Sequence, residues 1–101
     1  MAAFRIEGAG PGRLVASGEL GFATAAAALE SGLRLIESGL AWTVDLAGIT
    51  ASDSAGLAVL VEWLSAARAR GATLHYEAVP AQILAIARIS ELEDLLVAQP
   101  G

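Results

Sequence analysis

The sequence predicts a small two-layer α/β domain, a mixed β-sheet covered on one face by helices, with elements in the order β-β-α-β-α-β-α. Three observations predict it. Short segments alternate apolar and polar residues with the period of two that a half-buried strand requires, as in Trp42, Val44 and Leu46 against Thr43 and Asp45. Longer segments between them repeat apolar residues at helical spacing, so successive strands are separated by helices and pair in parallel through right-handed crossovers. The clean alternation also implies one covered face, because strands buried on both faces become continuous apolar runs.

Taken in order, Phe4 and Ile6, then Leu14 and Val15, flank Gly8-Ala9-Gly10-Pro11-Gly12, a turn-forming stretch that joins two short strands as a hairpin or a loose loop. It is not a dinucleotide loop, which needs a helix opening at once, whereas Arg13-Leu14-Val15-Ala16 continues as a strand. Gly18-Glu19-Leu20-Gly21 turns the chain into a first helix over 22–38. There Phe22, Ala25, Leu29, Leu33 and Ile36 keep helical spacing toward the core, and Glu30, Arg34 and Glu37 face water. Glu30 and Arg34, four apart with the acid first, form a surface pair of about 0.2–0.5 kcal/mol. Gly39 ends this helix, and Leu40-Ala41 leads into the central strand.

The chain is organised around the stretch 50–64, where that strand ends, small polar residues turn the backbone, and a second helix begins. Asp53 or Ser54 is its N-cap, a side-chain oxygen accepting from a backbone N–H of the first turn. Gly71 is its stop. The helix carries two apolar stripes. Leu57, Leu60, Val61, Leu64 and Ala67 face the core. Ala55, Val59, Trp63 and Ala66 follow the same spacing on another side, interleaved with Glu62 and Arg70. With the first stripe buried, the second is expected to be at least partly exposed, and Trp63 and Val59 beside the Asp53-Ser54 cap form a docking surface. The alternative is that Trp63 packs beneath the following strand or loop.

After Gly71 the segment 72–79 alternates again, with Leu74, Tyr76 and Ala78 inward and Thr73, His75 and Glu77 outward. His75 is the single histidine, and no second imidazole or paired carboxylate stands at ligand spacing to make a metal site. Pro80 breaks the strand. Ile83, Leu84, Ile86 and Ala87 form a short helix, Ser90-Glu91-Leu92-Glu93-Asp94 a capped final turn with acids at its N-terminal end, and 98–101 a frayed tail.

At 101 residues the chain is one domain, with a core over about 4–97. Hydrophobic residues make up 55% of it, yet no stretch approaches the roughly 18 apolar residues of a spanning helix. No leader pattern opens the sequence, and with no cysteine there is no disulfide framework, thiol nucleophile or thiolate metal site. A cytoplasmic setting is expected. Six arginines against eleven acids give a net charge of −5, without the basic stripe that nucleic acid or anionic lipid demands. A protein partner is expected, with no cofactor, no nucleic acid and no direct membrane insertion.

Ser54 lacks the G-x-S-x-G elbow and the nearby general base of a hydrolase nucleophile, so no catalytic residue is assigned. It has two compatible roles. As a cap residue it contributes about 1 kcal/mol to the helix. As a hydroxyl at a helix N-terminus it can accept a phosphoryl group, whose −1.5 to −2 charge a partner's apolar or acidic surface rejects (about that much near neutral pH).

Val44-Asp45-Leu46-Ala47-Gly48-Ile49, then Asp53-Ser54-Ala55-Gly56-Leu57, then an apolar helix closed by Gly71, resemble the signature of STAS domains, the fold of anti-sigma factor antagonists. The resemblance extends from Ser17-Gly18-Glu19-Leu20 through Val79-Pro80-Ala81-Gln82 to Leu96. Within that family the chain is most similar to the short cytoplasmic STAS subunit of Mla-type ABC transporters, which move phospholipid in Gram-negative envelopes. The length, the Gly18-Glu19-Leu20 entry, the D-S-A-G-L-A form of the motif and Ile83-Leu84-Ala85-Ile86-Ala87-Arg88 carry that likeness. It implies a non-enzymatic subunit that binds the transporter's ATPase, in service of outer-membrane lipid asymmetry, with the hydroxyl at Ser54 in the contact; from the helix stripe and its cap the expected partner surface is Asp53, Ser54, Ala55, Val59, Glu62 and Trp63. In the antagonist branch the serine matched by Ser54 is the phosphorylated residue, and its phosphorylation releases a partner kinase.

Overall fold

The sheet has four strands in the spatial order β1-β2-β3-β4. In the computed structural model, which describes residues 3–97, the elements are β1 (Arg5–Gly8), β2 (Arg13–Leu20), α1 (Ala25–Leu35), β3 (Ala41–Ser52), α2 (Ser54–Ala69), β4 (Thr73–Glu77), α3 (Ala81–Ile89) and α4 (Glu93–Val97). The tail expected at 98–101 lies outside the described residues. β1 runs antiparallel to β2, while β2, β3 and β4 are mutually parallel. This is the mixed sheet and element order read from the sequence, with α4 added after α3.

The Gly8–Gly12 turn is a hairpin, closed by Ala9 N–H to the Arg13 carbonyl (2.9 Å) and Arg13 N–H to the Gly10 carbonyl (3.1 Å). Register then sorts the side chains. Leu14, Val44 and Tyr76 are partners across three strands, and all are buried beneath the helices. The opposite face carries Arg13, Thr43 and His75 in one row and Val15, Asp45 and Glu77 in the next. Arg13 reaches Asp45 at 3.3 Å and Glu77 at 2.9 Å, lacing three strands together on the helix-free side. Half-exposed pairs of this kind contribute about 0–1 kcal/mol. Tyr76, buried under α2, donates its hydroxyl to the Leu60 carbonyl at 2.6 Å, and burial pushes its phenol well above the usual range.

Three sequence expectations fail at element ends, one of them the close of the first helix, which comes at Leu35 with Ile36 as its cap rather than at Gly39. The first helix was expected from Phe22 but begins at Ala25, because residues 21–24 form a separate turn in which Thr24 N–H donates to the Gly21 carbonyl (3.0 Å). The Thr24 hydroxyl donates to the Glu19 carbonyl (2.8 Å) and accepts from Gly21 N–H (3.1 Å). This turn takes Phe22 off the helical register and leaves it 86% exposed, forgoing about 1.5–3 kcal/mol of burial. Ala78, expected inward on the last strand, is exposed at φ 55°, since β4 stops at Glu77 and the backbone swings toward Pro80, which precedes α3.

α1 and α2 lie side by side and run in the same direction. Ala25 and Ala26 stand across from Ala55, Gly32 across from Trp63, and the Leu33 and Ile36 carbonyls across from Arg70. Gly32 sets the spacing, because a Cβ there would stand inside the Trp63 indole. At the far end Arg70 donates to the Leu33 and Ile36 carbonyls at 2.6 and 2.8 Å, placing a cation on the otherwise unsatisfied C-terminal carbonyls of α1.

Candidate functional site

Leu20 and Ser52 are partners at the C-terminal ends of β2 and β3, so Gly21-Phe22 and Asp53-Ser54 leave the sheet side by side. In parallel α/β sheets this is the edge where ligands and partners are met. β3 continues to Ser52 rather than stopping before the motif, and only one residue, Asp53, separates it from α2.

Asp53 is the cap, with extended φ −148° and ψ −167°. One carboxylate oxygen accepts from Ala55 N–H (2.8 Å) and Gly56 N–H (3.3 Å). The other accepts from Phe22 N–H at 3.0 Å, reaching 31 positions back to the β2–α1 turn. The Phe22 bond has the largest effect and, with the Ala55 and Gly56 bonds, holds the Asp53 carboxyl below its ordinary range against burial, whose upward push exceeds that of either helical bond. Gly56 permits the closeness, since a Cβ there would sit on the Leu20 carbonyl oxygen. With Asp53 as cap, Ser54 is free: it opens α2, is exposed, and its hydroxyl makes no hydrogen bond.

From Ser54 an exposed ridge continues along α2 through Ala58 and Glu62 to Ser65, spaced about one turn apart. A groove of about 270 Å³ borders it on the α1 side, with Leu29, Ala55 and Val59 in its walls. Another of about 330 Å³ borders it on the α3 side, lined by Leu57, Val61, Ile86 and Leu92. At the same edge Gln82 of α3 accepts from the Ser52 backbone N–H at 3.2 Å.

The expectation that Trp63 and Val59 form an exposed stripe is corrected. Trp63 is 0% exposed and Val59 4%. α1 crosses over this stripe, Gly32 admits the indole, the Trp63 Nε1–H donates to the Leu29 carbonyl at 3.3 Å, and the Phe4 ring lies 6.1 Å away. Neither the following strand nor the following loop covers Trp63; the preceding helix does. Among the residues expected to form the partner surface, Asp53, Ser54 and Glu62 are exposed and Ala55 is half-buried.

Among the described residues no general base is hydrogen-bonded to the Ser54 hydroxyl. Both Asp53 oxygens are occupied by backbone N–H groups, and His75 lies on the helix-free face of the sheet. His75 is half-buried there and its Nδ1 finds no partner. Among the described residues no group of His, Cys, Asp and Glu could hold a metal ion, and no helix is long and apolar enough to cross a membrane.

Phe22 and Ala58 were missed as contributors to this region, and Arg70 as the clasp at the opposite end of α1 and α2. The mid-helix glycine at 32 was a signal for close helix approach, because glycine weakens a helix unless packing requires it. Phe22 had no such signal.

The family model described as MlaB, STAS domain, matches residues 4–98. The chain belongs to this STAS family. The fold of this STAS domain is shared with the anti-sigma factor antagonist SpoIIAA in its unphosphorylated form, at TM-score 0.64 and 13% identity over 86% of this chain and 83% of that one. The crystal structure of Mglu is similar at TM-score 0.58 and 25% identity, over 79% of this chain and 20% of that one, so this STAS domain matches only a fifth of Mglu. No curated protein matches the sequence. STAS domains act through protein–protein contacts and are generally regulatory or binding modules.

Proposed function

We propose that this STAS domain is a non-catalytic, cytoplasmic subunit that docks on the ATP-hydrolysing subunit of a Mla-type phospholipid ABC transporter, and so serves lipid asymmetry of the outer membrane. The observation that carries the reading is the exposed ridge of Ser54, Ala58 and Glu62 between two apolar grooves at the start of α2, in a chain of the MlaB-type STAS family. Ser54, Ala55 and Glu62 are its contacts, with Asp53 at the margin. Ala58 joins them, Val59 forms only the groove wall, and Trp63 is withdrawn. A subunit that binds one conformation of an ATPase better than another shifts the population toward the first, which is regulation without chemistry.

The test is affinity purification of the tagged chain from its native cytoplasm with mass spectrometry of what copurifies. An ABC-type ATPase and its permease are the expected partners, and Ala58→Arg is expected to remove both. A second reading is favoured by one observation: the Ser54 hydroxyl is exposed and unbonded, as a residue phosphorylated by an anti-sigma factor kinase must be. Recovery of a small kinase-like protein, together with a phosphate on Ser54 in the intact-mass spectrum, would replace the transporter by that switch.

A further inference from the structure

The partner surface has an aromatic that the α2 ridge does not explain. Phe22 is 86% exposed, and its backbone N–H is tied to the carboxylate that caps α2. Its backbone therefore lies near the starts of both α1 and α2, whose first turns supply Ala25, Ala26 and Ala55 to the groove that runs toward Leu29 and Val59. A lone apolar side chain on a surface is ordinary, but one whose backbone is tied close to an apolar groove adds to the apolar area that a single partner can cover.

The charge around this patch is one-sided. Asp53 and Glu62 are exposed and neither is in an ion pair among the described residues. No arginine stands in the first turns of α1 or α2. Arg5 and Arg13 are on the sheet, Arg34 pairs with Glu30, Arg68 and Arg70 close α2, and Arg88 pairs with Glu93. A matching protein surface must offer an apolar socket with lysine or arginine at its rim.

We propose that Phe22 is the anchor that enters such a basic-rimmed apolar socket on the partner, and that Asp53 is the positioning residue that holds Phe22 outward. This rests on the docking reading above and adds to it the residue that provides the affinity. The clamp is asymmetric in a useful way. An asparagine at 53 keeps one acceptor oxygen for the Ala55 and Gly56 N–H groups but offers an amide N–H where Phe22 needs an acceptor. Asp53→Asn therefore cuts the tie between Phe22 and the start of α2 while leaving the Thr24 bonds of the turn and the cap of α2.

The test uses the purified Mla-type ATPase subunit from the same source as probe and measures its affinity for four chains. Phe22→Ala is expected to weaken binding about tenfold or more, with an unchanged melting temperature because Phe22 is in water already. Asp53→Asn is expected to weaken it by a similar factor, part of it the lost charge at the basic rim, and the double variant by clearly less than the product of the two single losses, the non-additivity that marks one residue acting through another. A purely structural role for Asp53 gives additive losses and overturns the positioning claim. If Ala58→Arg abolishes binding while Phe22→Ala leaves it unchanged, the surface stands and the anchor is overturned. If the unaltered chain does not bind this ATPase, the docking reading and the anchor fall together.

Discussion

Phe22 and Trp63 exchange the places that their sequence surroundings assign them. Phe22 opens an apolar series at helical spacing and belongs, by that spacing, in the core, yet it stands in water. Trp63 lies on the second stripe of a helix whose first stripe already provides a core face, yet it is fully buried. The difference comes from what covers each. A three-hydrogen-bond turn centred on Thr24 consumes the chain that would have carried Phe22 inward. A glycine in α1 lets a second helix come close enough to seal Trp63. Spacing along one helix locates an apolar face, but only the neighbouring element decides whether that face is covered.

Substitutions can break this comparison at either end. The largest effect is expected at Trp63, where Trp63→Ala opens a cavity beneath α1 and costs about 3–5 kcal/mol. Urea denaturation reads it, and a loss below about 1 kcal/mol would mean that α1 does not close over α2. Gly32→Val forces the same contact from the other side and is expected to cost about 1–3 kcal/mol through overpacking. In the Trp63→Ala background its cost should shrink, since the clashing indole is gone.

Asp53 gives a smaller, pH-dependent effect, screened by solvent because the carboxylate is exposed. Its folded-state pKa is lowered, so its contribution to stability is present above the ordinary carboxylate range and is lost as pH falls through the folded value. The melting temperatures of the unaltered chain and Asp53→Asn are expected to differ near neutral pH and to converge below about pH 4. A gap that persists into stronger acid would assign the effect to something other than the carboxylate charge. The smallest effect belongs to Phe22→Ala, expected to change stability by less than about 0.5 kcal/mol in the same urea experiment. A larger loss would place Phe22 against the core after all.

Much of the architecture was legible because period and punctuation are local. The alternation at 42–46, the glycine-rich hairpin and the apolar spacing of α2 determine strand, turn and helix within a few residues of themselves. The Asp53-Ser54 motif pointed to the candidate site for the same reason. The choice between them as cap was open, since both side chains can accept from the first turn, and it was decided by Phe22 N–H, a donor brought from 31 positions away by the pairing of β2 with β3. Ala58 was passed over because an alanine on a helix signals nothing until both grooves beside it exist. Arg70 was read only as interleaved with the second apolar stripe, because the carbonyls it satisfies belong to another helix.

That arginine has a consequence for how the molecule opens. Its guanidinium closes the last turn of α1 from a position at the end of α2, so α1 cannot unwind from its C-terminus without stranding two carbonyls and releasing a cation from them. Fraying, the ordinary first event at a helix end, is thereby tied to the loss of contact between two helices. In native-state hydrogen exchange the amides of the last turns of α1 and α2 should therefore exchange as one unit with a shared opening free energy, and Arg70→Ala should split them, with α1 exchanging first.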